Sequence, residues 1–270
     1  MNHSSPRTLD NTRYAPVLQC IYCGATDGLE DEHILPFGLS GTAVLPQSTC
    51  RQCARVTGSL EHAVLRGPFW PVRVFRNLKS RTKHRDAPKT LPLTILRSGH
   101  EESIQLGLDG YPILLHFPIF GPPAYLSRSE YTSGALMCGV ASVLFGPRPD
   151  DVAKSLGATE IKHSADYQPV AFARMIAKIG YGFAAAERTT EELDGAPLVL
   201  PAIRGTTDDI GRWVGTLTKP IETYPDQLHR ILVHHDREKS LLIAEVQLFA
   251  DSQTPSYGVI LGRLKSQVTA

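Results

Sequence analysis

Four of the five cysteines fall into two Cys-x-x-Cys pairs, Cys20 and Cys23 in CIYC and Cys50 and Cys53 in CRQC. Between the pairs stands an acidic residue directly followed by histidine, Glu32-His33. Two such thiolate pairs can present four soft ligands to one ion, and tetrahedral zinc is the metal that this donor set suits. Redox or iron–sulfur chemistry draws on the same pairs and is the alternative. A disulfide framework fits less well. The N-terminal MNHSSPRTLDNTRY is polar throughout and has no apolar leader core, so the expected setting is a reducing, cytoplasmic one. Cys138, alone in the apolar LMCGV, is expected in the core.

The Glu32-His33 pair has its own chemistry. A carboxylate can hold a hard divalent ion while the neighbouring imidazole takes a proton from water, which then attacks a phosphodiester. Four thiolates close the zinc site, so a catalytic ion would be a second one, Mg2+ or Mn2+. Glu32 would be its ligand and His33 the general base.

The elements that must position these groups are short. Between the pairs lie Pro36, several glycines and small apolar residues, enough for two brief strands and a tight turn. A helical pattern follows, starting near Cys50 or Cys53, and Glu61 and His62 fall about two turns further along it. Acids outnumber bases up to Cys50. Residues 51–89 then carry Arg51, Arg55, Arg66, Arg73, Arg76, Lys79, Arg81, Lys83, Arg85 and Lys89 against Glu61 and Asp86. A net charge of +1 conceals this local field, which suits salt-sensitive contact with nucleic-acid phosphates; a solvated linker is the plainer reading. Within it, Pro68 and Pro71 flank Phe69-Trp70, an expected turn with an aromatic anchor. Val72 and Val74 then suggest a short strand or irregular arm.

CIYC, EHILP, GLSGTAVLP and CRQC together resemble the HNH endonuclease superfamily, in the variety whose ββα-metal fold is braced by a four-cysteine zinc. The likeness covers about the first quarter of the chain. It implies a treble-clef/ββα-metal module in which Cys20, Cys23, Cys50 and Cys53 hold zinc, Glu32 binds the catalytic ion and His33 activates water. In that family an Asn or His follows the last cysteine, where this chain has Ala54, and the hairpin often carries an Asn that is missing here. Glu61 is the preferred replacement donor over His62, because a carboxylate suits magnesium better. Equally, Glu61 could be a helix-surface acid paired with Arg55 or Arg66.

The rest of the chain is long enough for a substantial core, and no apolar run reaches membrane-spanning length. LPLTILRS, ESIQLGLD and YPILLHFPIF read as a meander of strands separated by Ser98-Gly99 and Asp109-Gly110. PRPDDVAKSLGA offers a short helix. VAFARMIAKIGYGFAAAE carries Phe172, Met175, Ile176, Ile179 and Phe183 at helical spacing, with Gly180 and Gly182 allowing close approach to a sheet. Arg174 and Lys178 share a face of that helix, expected to be a solvated edge. HRILVHH, SLLIAEVQLFA and YGVILGRL are expected to form an antiparallel sheet against it. His234-His235-Asp236 lies at a strand end and is weak as a site, because alternation puts the two imidazoles on opposite faces.

The expected class is therefore α+β: a flexible start (1–15), an HNH-like zinc module (16–67), a basic arm or linker (68–90) and a mainly antiparallel sheet domain with a packed helix (91–270). The expected function is a metal-dependent endonuclease on DNA, with Arg51, Arg55, Arg66, Arg73, Arg76, Lys79, Arg81 and Lys83 holding the backbone. Residues beyond Leu91 would shape target choice or mediate self-association. The alternative is an inactive HNH-like module that binds nucleic acid without cutting it; a purely structural zinc module is a third reading.

Overall fold

The computed structural model describes residues 11–79, 88–127, 133–162 and 167–266. Strands β1 (Leu29–His33) and β2 (Val44–Cys50) form an antiparallel hairpin, with Leu29 opposite Cys50 and His33 opposite Val44. At its tip a single 3-10 turn (Phe37–Leu39) ends on Ser40 in the left-handed region. Gly41 must be a glycine there: a Cβ would lie 2.2 Å from the Leu35 carbonyl oxygen. Helix α1 (Arg51–Arg66) follows at once, its N-cap being Cys50, and buries Cys53, Thr57, Leu60, Val64 and Leu65 at helical spacing.

Residues 70–75 are a helix, not the expected strand or irregular arm. α2 (Trp70–Phe75) has Pro71 in its first turn, where a missing N–H is tolerated, and the alternation of Val72 and Val74 is incidental. The aromatic anchor is there: Phe69 is buried against Phe117, Phe172 and Phe249, with ring centroids 5.7–5.9 Å away.

β3 (Thr90–Arg97) and β4 (His100–Gly107) make a hairpin through Ser98 and Gly99, both at positive φ as a tight hairpin turn requires. The meander stops there. β5 (Ile113–Phe120) leaves to pair with β6 (Met137–Phe145), and the free side of β3 takes β7 (Glu160–Lys162). Burial explains the departure: β5 sends Ile113, Leu115 and Phe117 into the core, whereas β4 buries no residue fully. Cys138 lies on β6 and is exposed rather than buried, because that strand lies at the surface with Met137, Val140 and Leu144 also exposed.

α3 (Ala124–Ser127), α4 (Pro149–Ser155) and α6 (Leu200–Arg204) are short; the central element is α5 (Pro169–Ala186). Its apolar spacing predicts a single buried face. The helix is instead buried almost all round, as a helix enclosed by other elements must be. One side meets the four-stranded antiparallel sheet of order β8-β11-β10-β9, built from β8 (Val214–Thr216), β9 (His229–Asp236), β10 (Leu241–Leu248) and β11 (Ser256–Arg263). Gly180 makes that contact possible, since a Cβ would lie 2.8 Å from the Ala244 methyl. The other side meets the β1–β2–α1 unit. One cluster runs continuously from Cys20 and Ile34 through α5 to Leu261, and a second, smaller one gathers Leu93 and Ile95 of β3 with Val152 of α4. The whole is a mixed α+β fold with antiparallel sheets. Among the described residues no helix is long and apolar enough to cross a membrane.

His229 ties the hairpin tip to the large sheet. Its Nε2–H donates to the Leu39 carbonyl (2.8 Å), and Nδ1 accepts the Phe249 amide (3.1 Å). Burial pushes its pKa down to about 4, so folding requires the neutral ring. Between pH 4 and 6.5 the unfolded chain therefore binds more protons at this residue, and the stability it contributes is lost as pH falls through that range. Urea unfolding of the wild type and His229→Gln at stepped pH should show a stability difference that is largest above pH 6.5 and shrinks towards pH 4.

Candidate metal centre and its buried ion pair

The two cysteine pairs converge. The Sγ atoms of Cys20, Cys23, Cys50 and Cys53 all lie within 4.8 Å of one another, and Cys23 and Cys50 are 3.6 Å apart. A zinc–sulfur bond of about 2.3 Å sets sulfurs at the corners of a tetrahedron about 3.8 Å on edge, so the cluster fits zinc. Each pair is shaped by its backbone. In the first, the Gly24 amide bonds back to the Cys20 carbonyl (2.8 Å) while Gly24 takes a φ of +79°. In the second, Cys50 caps α1 and Cys53 lies in its first turn. The Cys53 amide bonds the Cys50 sulfur and, with its thiol neighbours, lowers that thiol to about 7. Burial and the adjacent thiols instead raise Cys53. Four sulfurs packed this closely cannot all ionise without a cation among them, and zinc would supply the positive charge.

Glu32, His33 and Glu61 are placed differently from one another. Glu32 points inward from β1 beside a bulge in the hairpin, and Glu61 reaches it from α1. Their carboxylates meet on one cation, the ammonium of Lys178 from α5, at 2.6 Å (Glu32 Oε1) and 2.9 Å (Glu61 Oε1). Lys178 also donates to the backbone carbonyls of His33 and Ile34. Its side chain is 1% exposed and that of Glu32 7%.

Burial alone would drive the proton off Lys178, yet Glu32 and Glu61 outweigh it and hold the ammonium protonated far above its ordinary range. Burial raises the Glu32 carboxyl as well, and Lys178 only partly offsets it. The two carboxylates raise Lys178, whereas burial is the leading cause at Glu32, with a smaller push from the neighbouring Glu61 charge. The Tyr22 and Tyr181 ring centroids lie 5.9 Å apart, Tyr181 donates its hydroxyl to the Ile21 carbonyl, and burial, then Glu32, holds the Tyr22 phenol neutral.

Lys178 is therefore not on a solvated edge. Two helical turns of polar or apolar neighbours give no hint of its fate; only the complementary carboxylates, far away in sequence, determine it. Glu61 pairs with neither Arg55 nor Arg66. The His33 side chain leaves β1 on the face opposite Glu32, with its ring edge-on to Phe37 at 5.7 Å.

The basic residues divide. Arg73 is turned inward, bonding the carbonyls of Gly38 (2.6 Å) and Leu65 (2.9 Å). Arg76 forms a fork with Asp251 and lies over the rings of Phe145 and Phe249. Arg51, Arg55, Arg66 and Lys79 are exposed, with Arg51 3.6 Å from Glu30. Arg81, Lys83 and Arg85 lie outside the described residues. His234 and His235 do face opposite ways, to Glu245 (3.1 Å) and Glu192 (3.0 Å). Burial works against the Glu245 charge, but His234, Lys219 and Arg230 hold its pKa at about 2.

Comparison with known proteins returns no family model, no curated protein and no solved structure that matches this chain.

Removing the cation strands two carboxylates at a buried interface. Lys178→Ala should cost about 3–5 kcal/mol of unfolding free energy, measured by chemical denaturation of the zinc-loaded protein. A loss within 1 kcal/mol would mean the ion pair is not holding α5 to the hairpin.

Proposed function

We propose that residues 16–67 form an HNH-like zinc module that binds nucleic acid and does not cleave it through Glu32 and His33. One observation carries the reading: the Lys178 ammonium lies between the carboxylates of Glu32 and Glu61, where a catalytic divalent ion would have to bind. A lysine cannot do the work of that ion. Its single charge sits on a saturated nitrogen with no vacant coordination site, so it can neither polarise a phosphate oxygen nor bind the leaving oxygen as a Lewis acid. Displacing it would leave an ammonium buried without partners, at a cost of several kcal/mol.

The hairpin-then-helix order and the two cysteine pairs support the zinc-braced ββα arrangement. In it Cys20, Cys23, Cys50 and Cys53 would hold zinc, which fixes the hairpin against α1. The exposed arginines of α1, with Lys79, support the binding half of the proposal. Ala54 contributes a methyl where the nuclease pattern has a donor, in keeping with a module that has given up its catalytic ion.

The test uses zinc-loaded protein with supercoiled plasmid and with single-stranded DNA, in magnesium and in manganese. A gel shift should appear with no nicking, and His33→Ala should change neither result. Nicking that disappears in His33→Ala would overturn the proposal in favour of a metal-dependent nuclease.

A further inference from the structure

The exposed face of α1 carries Arg51, Arg55, Gly58, Ser59, His62 and Arg66. At about 100° per residue these six positions fall within roughly a 100° arc of the helix. The arc contains three guanidinium groups and no acid. Its ends, Arg51 and Arg66, are separated by about 22 Å along the axis. Apart from the long Arg51–Glu30 contact, no ion pair engages these arginines among the described residues. The rest of the helix is committed: Cys53 to the cysteine cluster, Glu61 to Lys178, and Leu60, Val64 and Leu65 to the interior.

Gly58 is the informative member. A glycine within an exposed helix destabilises it relative to alanine, and usually a close neighbour explains its presence. Here a Cβ would meet nothing within 4 Å, and Gly58 is not among the glycines with positive φ. Among the described residues nothing requires this position to lack a side chain. A partner lying along the helix would.

We infer that this face of α1 docks the sugar–phosphate backbone of duplex nucleic acid, with Arg51, Arg55 and Arg66 on phosphates and Gly58 admitting the backbone close to the helix. The inference rests on the proposed nucleic-acid-binding function. Charge complementarity selects a polyanion. No large apolar residue lies on the arc, which removes the means of inserting into a membrane surface. No Phe, Tyr or Trp lies there either, although proteins that hold single strands stack bases on such rings. A straight, rigid row of cations suits the regular phosphates of a duplex, read without regard to base sequence.

The experiment measures anisotropy of a labelled duplex of random sequence, and of one of its strands, against zinc-loaded full-length protein over a series of salt concentrations. Arg55→Ala/Arg66→Ala should weaken duplex binding about tenfold or more and flatten the salt slope by about two. Arg237→Ala, an exposed arginine in the turn between β9 and β10, should change the slope little. Gly58→Gln should keep or raise the thermal midpoint, as a better helix former, while weakening the duplex complex; a purely structural glycine would lower the midpoint. Wild-type affinity in both α1 variants would overturn this surface and leave the binding function standing. No binding of either nucleic acid by the wild type would overturn both. Tighter binding of the single strand would overturn the duplex assignment.

Discussion

The fold depends on a single buried ammonium. Lys178 joins three elements from distant parts of the chain: Glu32 on the hairpin, Glu61 on α1, and its own helix α5. An isolated charge at 1% exposure would be strongly unfavourable, so each of the three groups makes the others tolerable. The backbone carbonyls of His33 and Ile34 complete the shell, and they also fix where β1 ends. In energy such a cluster need not surpass a well-packed apolar contact. In geometry it is more exacting, because ammonium and carboxylates must meet within hydrogen-bond distance or the whole arrangement fails.

Around that point the packing is layered. α5 has the cysteine-bearing β1–β2–α1 unit on one side and the four-stranded sheet on the other, and two small residues set the distances. Gly180 lets the helix touch Ala244, and Gly41 lets the hairpin tip fold back on Leu35. His229 and Tyr181 add hydrogen bonds from the large sheet and from α5 to the cysteine-bearing unit, reaching Leu39 and Ile21. The core of the cysteine-bearing unit is continuous with that of α5 and the large sheet. The unit's hydrophobic face is completed by α5, and the outer side of α1 is exposed.

Local chemistry was legible in the sequence, and long-range pairing was not. The cysteine pairs announce their convergence because ligand spacing is a local property. The last three strands and α5 are readable from periodicity of two and of three to four. β5 misleads because a strand's neighbours are set by which face is buried, not by which strand precedes it. α2 misleads because four residues with two valines fit either period, and Pro71 is the cue that favours a helix. Cys138 misleads because apolar neighbours on a surface strand look like a core. Lys178 is the largest gap. Its sequence neighbours are those of any amphipathic helix, and only the unspent carboxylates Glu32 and Glu61 hint that a buried cation is needed. Helix spacing places Glu61 about two turns beyond Cys53 and says nothing of its distance from Glu32; only the family resemblance offered it as a donor there, and the lysine between them was not legible.

The most direct test is a calorimetric titration of Mn2+ into zinc-loaded wild type, Glu32→Gln, Lys178→Ala and Lys178→Ala/Glu32→Gln. If the ammonium occupies the cation position, the wild type takes up no Mn2+ at this site, Lys178→Ala takes up one ion, and the added Glu32→Gln abolishes it. Uptake of one Mn2+ by the wild type that Glu32→Gln removes would contradict the account, since it would show that the carboxylates hold a divalent ion with Lys178 in place.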